Sequence, residues 1–225
     1  MQVLTRRGRG GVFTIRYTDA DDGDFAVDGI DVESARTAVV STPWTWLRQV
    51  HGSEVFVVTS AGEHRGEVGD ASVSDIDDVA LAVQGADCAP VAFWSDEGPF
   101  GIAHAGWKGI EAGVLGATAS AMRGLGASAI YATVGPCIHP ANYEFGSDDL
   151  DRLATKFGPT VRARTSAGTE ALDVRAMISI ALSDAGVAID HDVDVCTGSS
   201  SKHYSHRVDG DTARHCGVIT REWEA

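Results

Sequence analysis

The sequence lacks the closely spaced cysteines that identify small metal or redox modules. It has four cysteines among 225 residues, and no two of them form a Cys-x-x-Cys pair. A zinc ribbon and a thioredoxin-type motif are therefore excluded. Without a secretion signal, an even number of cysteines does not imply disulfides. A metal site in this chain has to be assembled from distant segments.

Long apolar runs are also absent. No stretch approaches the roughly 20 apolar residues that span a bilayer, and no apolar segment follows the basic N-terminal residues as it would in a signal peptide. The net charge of −14 disfavours nucleic acid and anionic lipid as partners. The phosphate-binding pattern Gly-x4-Gly-Lys-Ser/Thr is missing. We expect a cytoplasmic monomer that binds neither membranes nor nucleic acid.

Apolar, β-branched and aromatic runs predict strands, and a period near 3.6 predicts helices. The predicted strands are VFTIRY (12–17), EVFVV (54–58), VALAVQ (79–84), APVAFW (89–94), FGIAHA (100–105), AIYATV (129–134), VDVC (193–196) and segments near 203–206 and 215–220. The predicted helices are 108–123, 147–156 and 174–185. Several strands lack strict alternation, as strands covered on both faces do. This order predicts an α+β fold in which residues 1–225 form a single domain with mixed β-sheets flanked by helices.

Three separate segments carry side chains that suit a metal ion. His51 lies in RQVHGSEV, Cys88 in GADCAPVAF and His104 in GIAHAGWKGI. Two imidazoles and a thiolate can fill three positions of a tetrahedral zinc and leave the fourth open, as in a catalytic site. Each residue also has an ordinary interpretation, since a loop histidine can simply be exposed and a cysteine can simply pack. Asp87 precedes Cys88 and is predicted to orient a metal ligand.

Three other features are candidates for substrate contact. Lys108 follows a glycine turn where a helix begins, a position that attracts anions; a tight turn with a packed tryptophan is the alternative. Cys137 lies in a proline-containing loop that could line a pocket or simply be rigid. Arg207 and Arg214 flank an Asp-Gly turn and could hold a phosphate or form a salt-bridged hairpin.

Taken in order, the segments QVHG, ADCAPV, HAGWKG, VGPCI and SHRVDGDTAR resemble the polyphenol oxidoreductase (laccase-like) family. That family is better described as purine nucleoside phosphorylases with adenosine deaminase side activity, and it includes the bacterial peptidoglycan editing factor. The resemblance implies zinc bound by His51, Cys88 and His104. It also implies phosphorolysis of adenosine, inosine, guanosine or methylthioadenosine to base and ribose-1-phosphate. Copper fits less well, because no motifs supply the additional coppers that oxygen reduction needs.

The resulting hypothesis is an enzyme whose partners are a nucleoside and phosphate. His51, Cys88 and His104 are its catalytic and metal-binding residues, and Lys108, Arg207 and Cys137 are its substrate- or phosphate-binding residues. Asp87 is the candidate for the acid that protonates the departing base. One alternative is a hydrolase with a cysteine nucleophile acting on a peptidoglycan precursor. Another is a metal- or nucleoside-binding module that has lost catalysis.

The N-terminal segment departs from the family pattern. The family opens with Thr-x-Arg-x-Gly-Gly after its first strand, whereas TRRGRGG (5–11) precedes the first predicted strand here. The sequence therefore leaves open whether Arg6, Arg7 or Arg9 reaches the pocket.

Overall fold

The computed structural model describes residues 1–223. Its strands are β1 Gln2–Gly8, β2 Gly11–Tyr17, β3 Trp44–Trp46, β4 Val55–Val58, β5 Ala71–Ser74, β6 Ala80–Gly85, β7 Ala89–Ser95, β8 Phe100–Ala105, β9 Ile130–Val134, β10 Arg162–Arg164, β11 Glu170–Leu172, β12 Val187–Asp192 and β13 His215–Glu222. Its α-helices are α1 Val32–Val39, α2 Trp107–Ala112, α3 Val114–Gly124, α4 Ser147–Phe157 and α5 Val174–Asp184. No helix within 1–223 is long and apolar enough to cross a membrane.

The strands form two large mixed sheets and a small hairpin. One sheet has the order β1-β2-β13-β6-β3, and the other has the order β12-β9-β7-β8-β5-β4. Three pairs, β3 with β6, β4 with β5 and β9 with β12, are parallel, while the other pairs are antiparallel. Strands β10 and β11 pair with each other as a two-stranded hairpin. The predicted α+β fold with mixed sheets flanked by helices is confirmed.

The central strands are apolar on both faces because the two sheets stack and helices cover the outer side. In β7, Val91 and Phe93 pack with the helices, whereas Ala92 and Trp94 pack between the sheets. Every residue of β7 and β8 is buried. A strand buried on both faces does not alternate between polar and apolar residues. These strands are therefore continuous apolar runs, which the sequence pattern identifies.

A third apolar layer covers the outer face of the five-stranded sheet. Phe25 stacks on Trp44 with ring centroids 6.0 Å apart, and both pack against β6 and β13. The backbone N–H of Phe25 donates to the carbonyl of Arg214 at 2.8 Å, and the N–H of Arg214 donates to the Asp24 carboxylate at 2.9 Å. These bonds fix the segment 24–28 beside the start of β13.

Some predicted elements differ from the observed ones. The helix predicted over 108–123 is two helices, because Gly113 adopts a left-handed φ of +96° that ends α2 before α3 begins. The strand predicted near 203–206 is wrong, since that segment is a turn. The strand predicted over 193–196 is also wrong, because β12 ends at Asp192 and of these four residues Cys196 alone forms an isolated bridge. Strands β1 and β12 were missed because both are largely exposed and lack an apolar pattern.

Candidate metal centre

The three residues predicted as metal ligands come together in the structure. One ligand atom from each of His51, Cys88 and His104 lies within 4.8 Å of the other two. The Cys88 Sγ lies 3.7 Å from the His51 Nε2. Across residues 1–223, this is the one group of three or more histidines, cysteines and carboxylates with such spacing. The folded chain therefore presents one His-Cys-His group that could hold a metal ion.

Strand pairing explains why Cys88 meets His104. β7 and β8 are antiparallel, and Pro90 lies opposite His104. The start of β7 is thus beside the end of β8, and Cys88 immediately precedes β7. The chain also crosses here from the five-stranded sheet, which contains β6, to the six-stranded sheet, which contains β7. The group therefore lies where the two sheets are joined.

Asp70 connects the two histidines and was not predicted. This fully buried carboxylate accepts hydrogen bonds from the backbone N–H groups of Val50, His51 and Gly52 at 3.1, 2.9 and 2.7 Å. His104 Nδ1 lies 2.9 Å from the same carboxylate. Because a carboxylate only accepts, Nδ1 carries a proton, and in the neutral ring the lone pair of Nε2 is the one that a metal can use.

The same contacts hold the Asp70 side chain ionised. Burial alone raises the pKa of this carboxyl, but the His104 ring and the N–H groups of residues 50–52 lower it below its usual value. They also stabilise the backbone of His51, which has a left-handed φ of +59°. No sequence pattern singled out Asp70, because the strand that follows it, β5, is short and was not predicted.

Gly106 provides the space in which the three ligands meet. A Cβ at this position would lie 2.6 Å from His51 Cδ2 and 2.8 Å from Cys88 Sγ. Both distances are too short for real carbon contacts, so only glycine fits without moving the ligands. Gly106 follows β8 directly and precedes α2, which explains the glycine turn after His104.

The donor set fits zinc. Zn–S and Zn–N bonds of about 2.3 and 2.05 Å at a tetrahedral angle would place sulfur and nitrogen about 3.6 Å apart. The Cys88–His51 separation of 3.7 Å matches this value. Burial by itself raises the pKa of the Cys88 thiol, but His104 and His51 lower it to about 6. Near neutral pH the sulfur is therefore a thiolate, the form that binds metals.

The pKa of His104 shifts in the opposite direction, upwards. Burial lowers the pKa of its imidazole, but the Cys88 thiolate and the Asp70 carboxylate raise it to about 9. Without a metal, the pair is thus a thiolate beside an imidazolium. A bound cation would take the place of that proton at the centre of the group.

Asp87 does not have the predicted role of orienting a metal ligand. Its Oδ1 accepts from the hydroxyls of Thr197 at 2.7 Å and Ser205 at 2.8 Å, and its Oδ2 accepts from the backbone N–H of Arg207 at 2.7 Å. None of these partners is a metal ligand, and Asp70 makes the contact that was expected of Asp87.

A cavity of about 520 Å³ opens onto the metal group. His51, Cys88 and His104 lie on its wall together with the aromatic side chains of Trp107 and Tyr143. The remaining lining includes Gln49, Gln84, Asp87, Arg207, Arg214 and the segment 26–28. This volume lies within the range of small-molecule sites.

Arg207, predicted to bind phosphate, lies on the cavity wall, as does Arg214. Arg207 Nη1 donates to the Glu144 carbonyl at 2.7 Å, and its guanidinium carbon lies 4.7 Å from the Tyr143 ring centroid. Arg214 Nη1 donates to the carbonyls of residues 211 and 213. Neither guanidinium forms a salt bridge with a carboxylate of residues 1–223. Two guanidinium groups therefore reach the cavity wall of this strongly acidic chain, alongside the carboxylates of Asp28 and Asp87.

Lys108 and Cys137 were also predicted to contact substrate, and neither is among the residues that line the cavity. Lys108 follows the cavity-lining Trp107 in α2. It is exposed, with Nζ 5.3 Å from the Trp107 ring centroid. Cys137 is 1% exposed and packs in the core beneath the helices. Burial raises the pKa of its thiol far above the usual range.

The N-terminal arginines Arg6, Arg7 and Arg9 are not among the residues that line the cavity. Arg6 bonds with Asp190, and the mostly exposed Arg9 lies 3.4 Å from Glu97. The segment TRRGRGG forms the end of β1 and its turn into β2, so a strand does precede the glycines. Among described residues, the nearest N-terminal contribution to the cavity lining is the segment 26–28.

Fold and site together define an α+β protein of two stacked mixed sheets, with a His-Cys-His group at the floor of a cavity. The chain belongs to the family described as multi-copper polyphenol oxidoreductase laccase, whose model matches residues 9–222.

Relatives in this family carry a more specific name. A purine nucleoside phosphorylase of Streptomyces coelicolor is 36% identical over 87% of this chain and 79% of its own length. A purine nucleoside phosphorylase of Mycobacterium bovis is 35% identical over 98% of this chain and 92% of its own. These similarities support an enzyme of the same type.

Solved structures share the fold over nearly the whole chain. A Neisseria meningitidis protein superposes with a TM-score of 0.81 at 27% identity, covering 99% of this chain and 100% of the other. YlmD from Geobacillus stearothermophilus has a TM-score of 0.76 at 26% identity, covering 95% and 92%.

Proposed function

We propose that this protein is a zinc-dependent purine nucleoside phosphorylase that also deaminates adenosine. Its substrates are adenosine, inosine, guanosine or methylthioadenosine together with phosphate. The observation that carries this proposal is the His-Cys-His group facing a cavity that also presents two guanidinium groups without a carboxylate partner among residues 1–223. The names of the relatives support the same reaction.

His51, Cys88 and His104 are the residues that would hold zinc. A bound zinc would supply Lewis acidity, the chemistry that a substrate oxygen or a deaminating water would need. Zinc is favoured over copper because two nitrogens and one sulfur form a single group, while oxygen reduction by a multicopper oxidase needs several copper sites. Asp70 holds Nδ1 of the His104 ring, which leaves Nε2 as the nitrogen that would bind the metal.

Arg207 and Arg214 are the proposed phosphate-binding residues. Each uses Nη1 for backbone carbonyls and keeps other N–H donors that can bind oxyanions. Guanidinium groups suit phosphate because their planar donors match two of its oxygens. Bound in this way, phosphate is oriented to attack the anomeric carbon of the ribose as the bond to the base breaks.

The aromatic wall suits the purine base. Trp107 and Phe145 make an edge contact with centroids 5.3 Å apart, and Tyr143 contacts Phe145 at 5.5 Å. These contacts hold the Trp107 and Tyr143 rings in place beside the metal group. A purine has a large flat surface that such rings can bury.

The test is to incubate zinc-loaded protein with adenosine and phosphate and to quantify adenine, inosine and ribose-1-phosphate by chromatography. Cys88→Ala is expected to lose zinc and turnover. Cys196→Ala is the matched control, because that thiol is also half-buried but lies outside the metal group. Full activity and normal zinc content in Cys88→Ala would reject the proposal. Nucleoside binding without any turnover would instead indicate a binding module.

The cysteine hydrolase remains a second candidate because of one specific contact. His104 is hydrogen-bonded to Asp70 and lies beside Cys88, an arrangement like that of a nucleophile, base and orienting carboxylate. Such a group could cleave an amide in a peptidoglycan precursor. A chelator separates the two functions, since it silences the phosphorylase but leaves a thiol-dependent hydrolase active.

A further inference from the structure

The carboxylate of Asp87 is the meeting point of two chain segments that are far apart in sequence. Asp87 is 7% exposed, while Thr197 and Ser205 are fully buried. Their hydroxyls both donate to Oδ1, and the N–H of Arg207 donates to Oδ2. This one side chain therefore holds the loop 197–207 at three points, Thr197, Ser205 and Arg207.

Asp87 is at the same time the residue before Cys88. Its backbone has a φ of +89°, in the region that favours glycine, so its conformation is held by its surroundings. Its carbonyl accepts from the N–H of Ile138 at 2.9 Å. Backbone and side chain together thus fix the bend between β6 and β7 in which Cys88 lies.

Asp87 accepts from the main-chain N–H of Arg207, so the Arg207 guanidinium is not used in this bond and can bind an anion. Ser205 Oγ additionally accepts from the N–H of Val208 at 3.2 Å, so the bonds continue on both sides of Arg207. Any shift of the Asp87 carboxylate would therefore move the whole backbone of Arg207, and with it the guanidinium at the cavity wall.

We propose that Asp87 is a positioning residue that holds the anion-binding Arg207 in a fixed place relative to the metal ligand Cys88. This inference rests on the proposed function for the identity of the anion, which is phosphate. Asp87 itself need not touch substrate or transfer a proton. Its role is to keep the nucleophile-binding and metal-binding halves of the cavity at a constant separation.

The experiment measures phosphate KM and nucleoside KM separately in zinc-loaded enzyme. In Asp87→Ala, the phosphate KM is expected to rise about tenfold or more, as for loss of a hydrogen bond to a charged group. The nucleoside KM is expected to change less than about threefold, since the aromatic wall is untouched. Asp87→Asn is expected to recover part of the loss, because its amide oxygen can accept from Arg207 and its amide nitrogen can donate to a hydroxyl.

A double-mutant cycle identifies the residue through which Asp87 acts. Asp87→Ala combined with Arg207→Ala is expected to raise phosphate KM no more than Arg207→Ala alone. The control is Asp173→Ala, which removes a carboxylate that caps α5 through the Ala176 N–H at 3.0 Å, away from the cavity. It is expected to lower Tm without altering phosphate KM. Additive effects, or a normal phosphate KM in Asp87→Ala, would overturn the inference.

Failure of the proposed function is distinguished by titrating inorganic phosphate calorimetrically into the same proteins. If the wild type releases no base but binds phosphate, weaker binding by Asp87→Ala still supports the positioning role. No binding by the wild type, or equal binding by both, overturns it. If Asp87→Ala does not fold, Asp87→Asn and Ser205→Ala decide the question. Both are expected to raise phosphate KM to values between those of wild type and Arg207→Ala, and no rise in either contradicts the inference.

Discussion

Replacing Asp70 with asparagine is expected to disable the metal site with almost no change in side-chain volume. The carboxylate accepts two hydrogen bonds at each oxygen, from Val50 and Gly52 at Oδ2 and from His51 and His104 at Oδ1. An asparagine amide has only one acceptor oxygen, and its NH2 group can only donate. Whichever way the amide is oriented, its NH2 group faces two N–H donors and can accept from neither.

Either orientation affects one of the histidines. If the NH2 group takes the place of Oδ1, it faces the N–H of His51 and Nδ1 of His104. His104 then has to move its proton to Nε2, which can no longer bind zinc. If the NH2 group takes the place of Oδ2, the N–H groups of Val50 and Gly52 lose their acceptor. The turn around His51 then loses two of its three hydrogen bonds to this side chain. Loss of two bonds to a buried charge costs about 3 kcal/mol or more in stability. Loss of an outer-shell carboxylate weakens metal affinity by about 10- to 100-fold.

The assay is zinc affinity by competition with a chromophoric chelator, together with urea unfolding of the metal-free protein. Asp173→Asn is the matched control, because that carboxylate accepts a single backbone bond from Ala176 and does not contact the ligands. It is expected to leave zinc affinity unchanged. An Asp70→Asn protein whose zinc affinity stays within about twofold of wild type would refute the argument, since a 10-fold loss is the least that it predicts.

Three further predictions concern single side chains. Gly106→Ala should reduce zinc content while the protein stays folded, because its Cβ would lie 2.6 Å from His51 and 2.8 Å from Cys88; normal zinc content contradicts this. Burial lowers the pKa of His215 to about 3. Folding therefore disfavours its proton, and stability should fall by up to about 1.4 kcal/mol per pH unit as pH drops from about 6.5 towards 3. His215→Phe should flatten that part of the urea-unfolding profile, and an unchanged slope contradicts it. Cys137→Ala should lower Tm but leave phosphate KM unchanged, because Cys137 packs in the core; a raised KM contradicts this.

Two features made much of the fold predictable from sequence. Strands buried on both faces, such as β7 and β8, are continuous apolar runs, and their limits were found almost to the residue. Helices α4 and α5 were also found, because each has an apolar face and ends near a glycine. The exposed strands β1 and β12 were not, since edge strands need only backbone pairing and carry no apolar pattern.

The sequence by itself determined which atoms could bind a metal, because imidazole and thiolate are chemically distinctive and their glycine-rich surroundings indicated sharp turns. Only the tertiary structure decided which carboxylate serves them. Asp70 and Asp87 are equivalent as letters, and the one beside Cys88 looked the better candidate. Strand pairing instead directs Asp70 to His104 and Asp87 to Arg207. A hydrogen bond depends on positions to a fraction of an ångström, and those positions are set by contacts between residues remote in the chain.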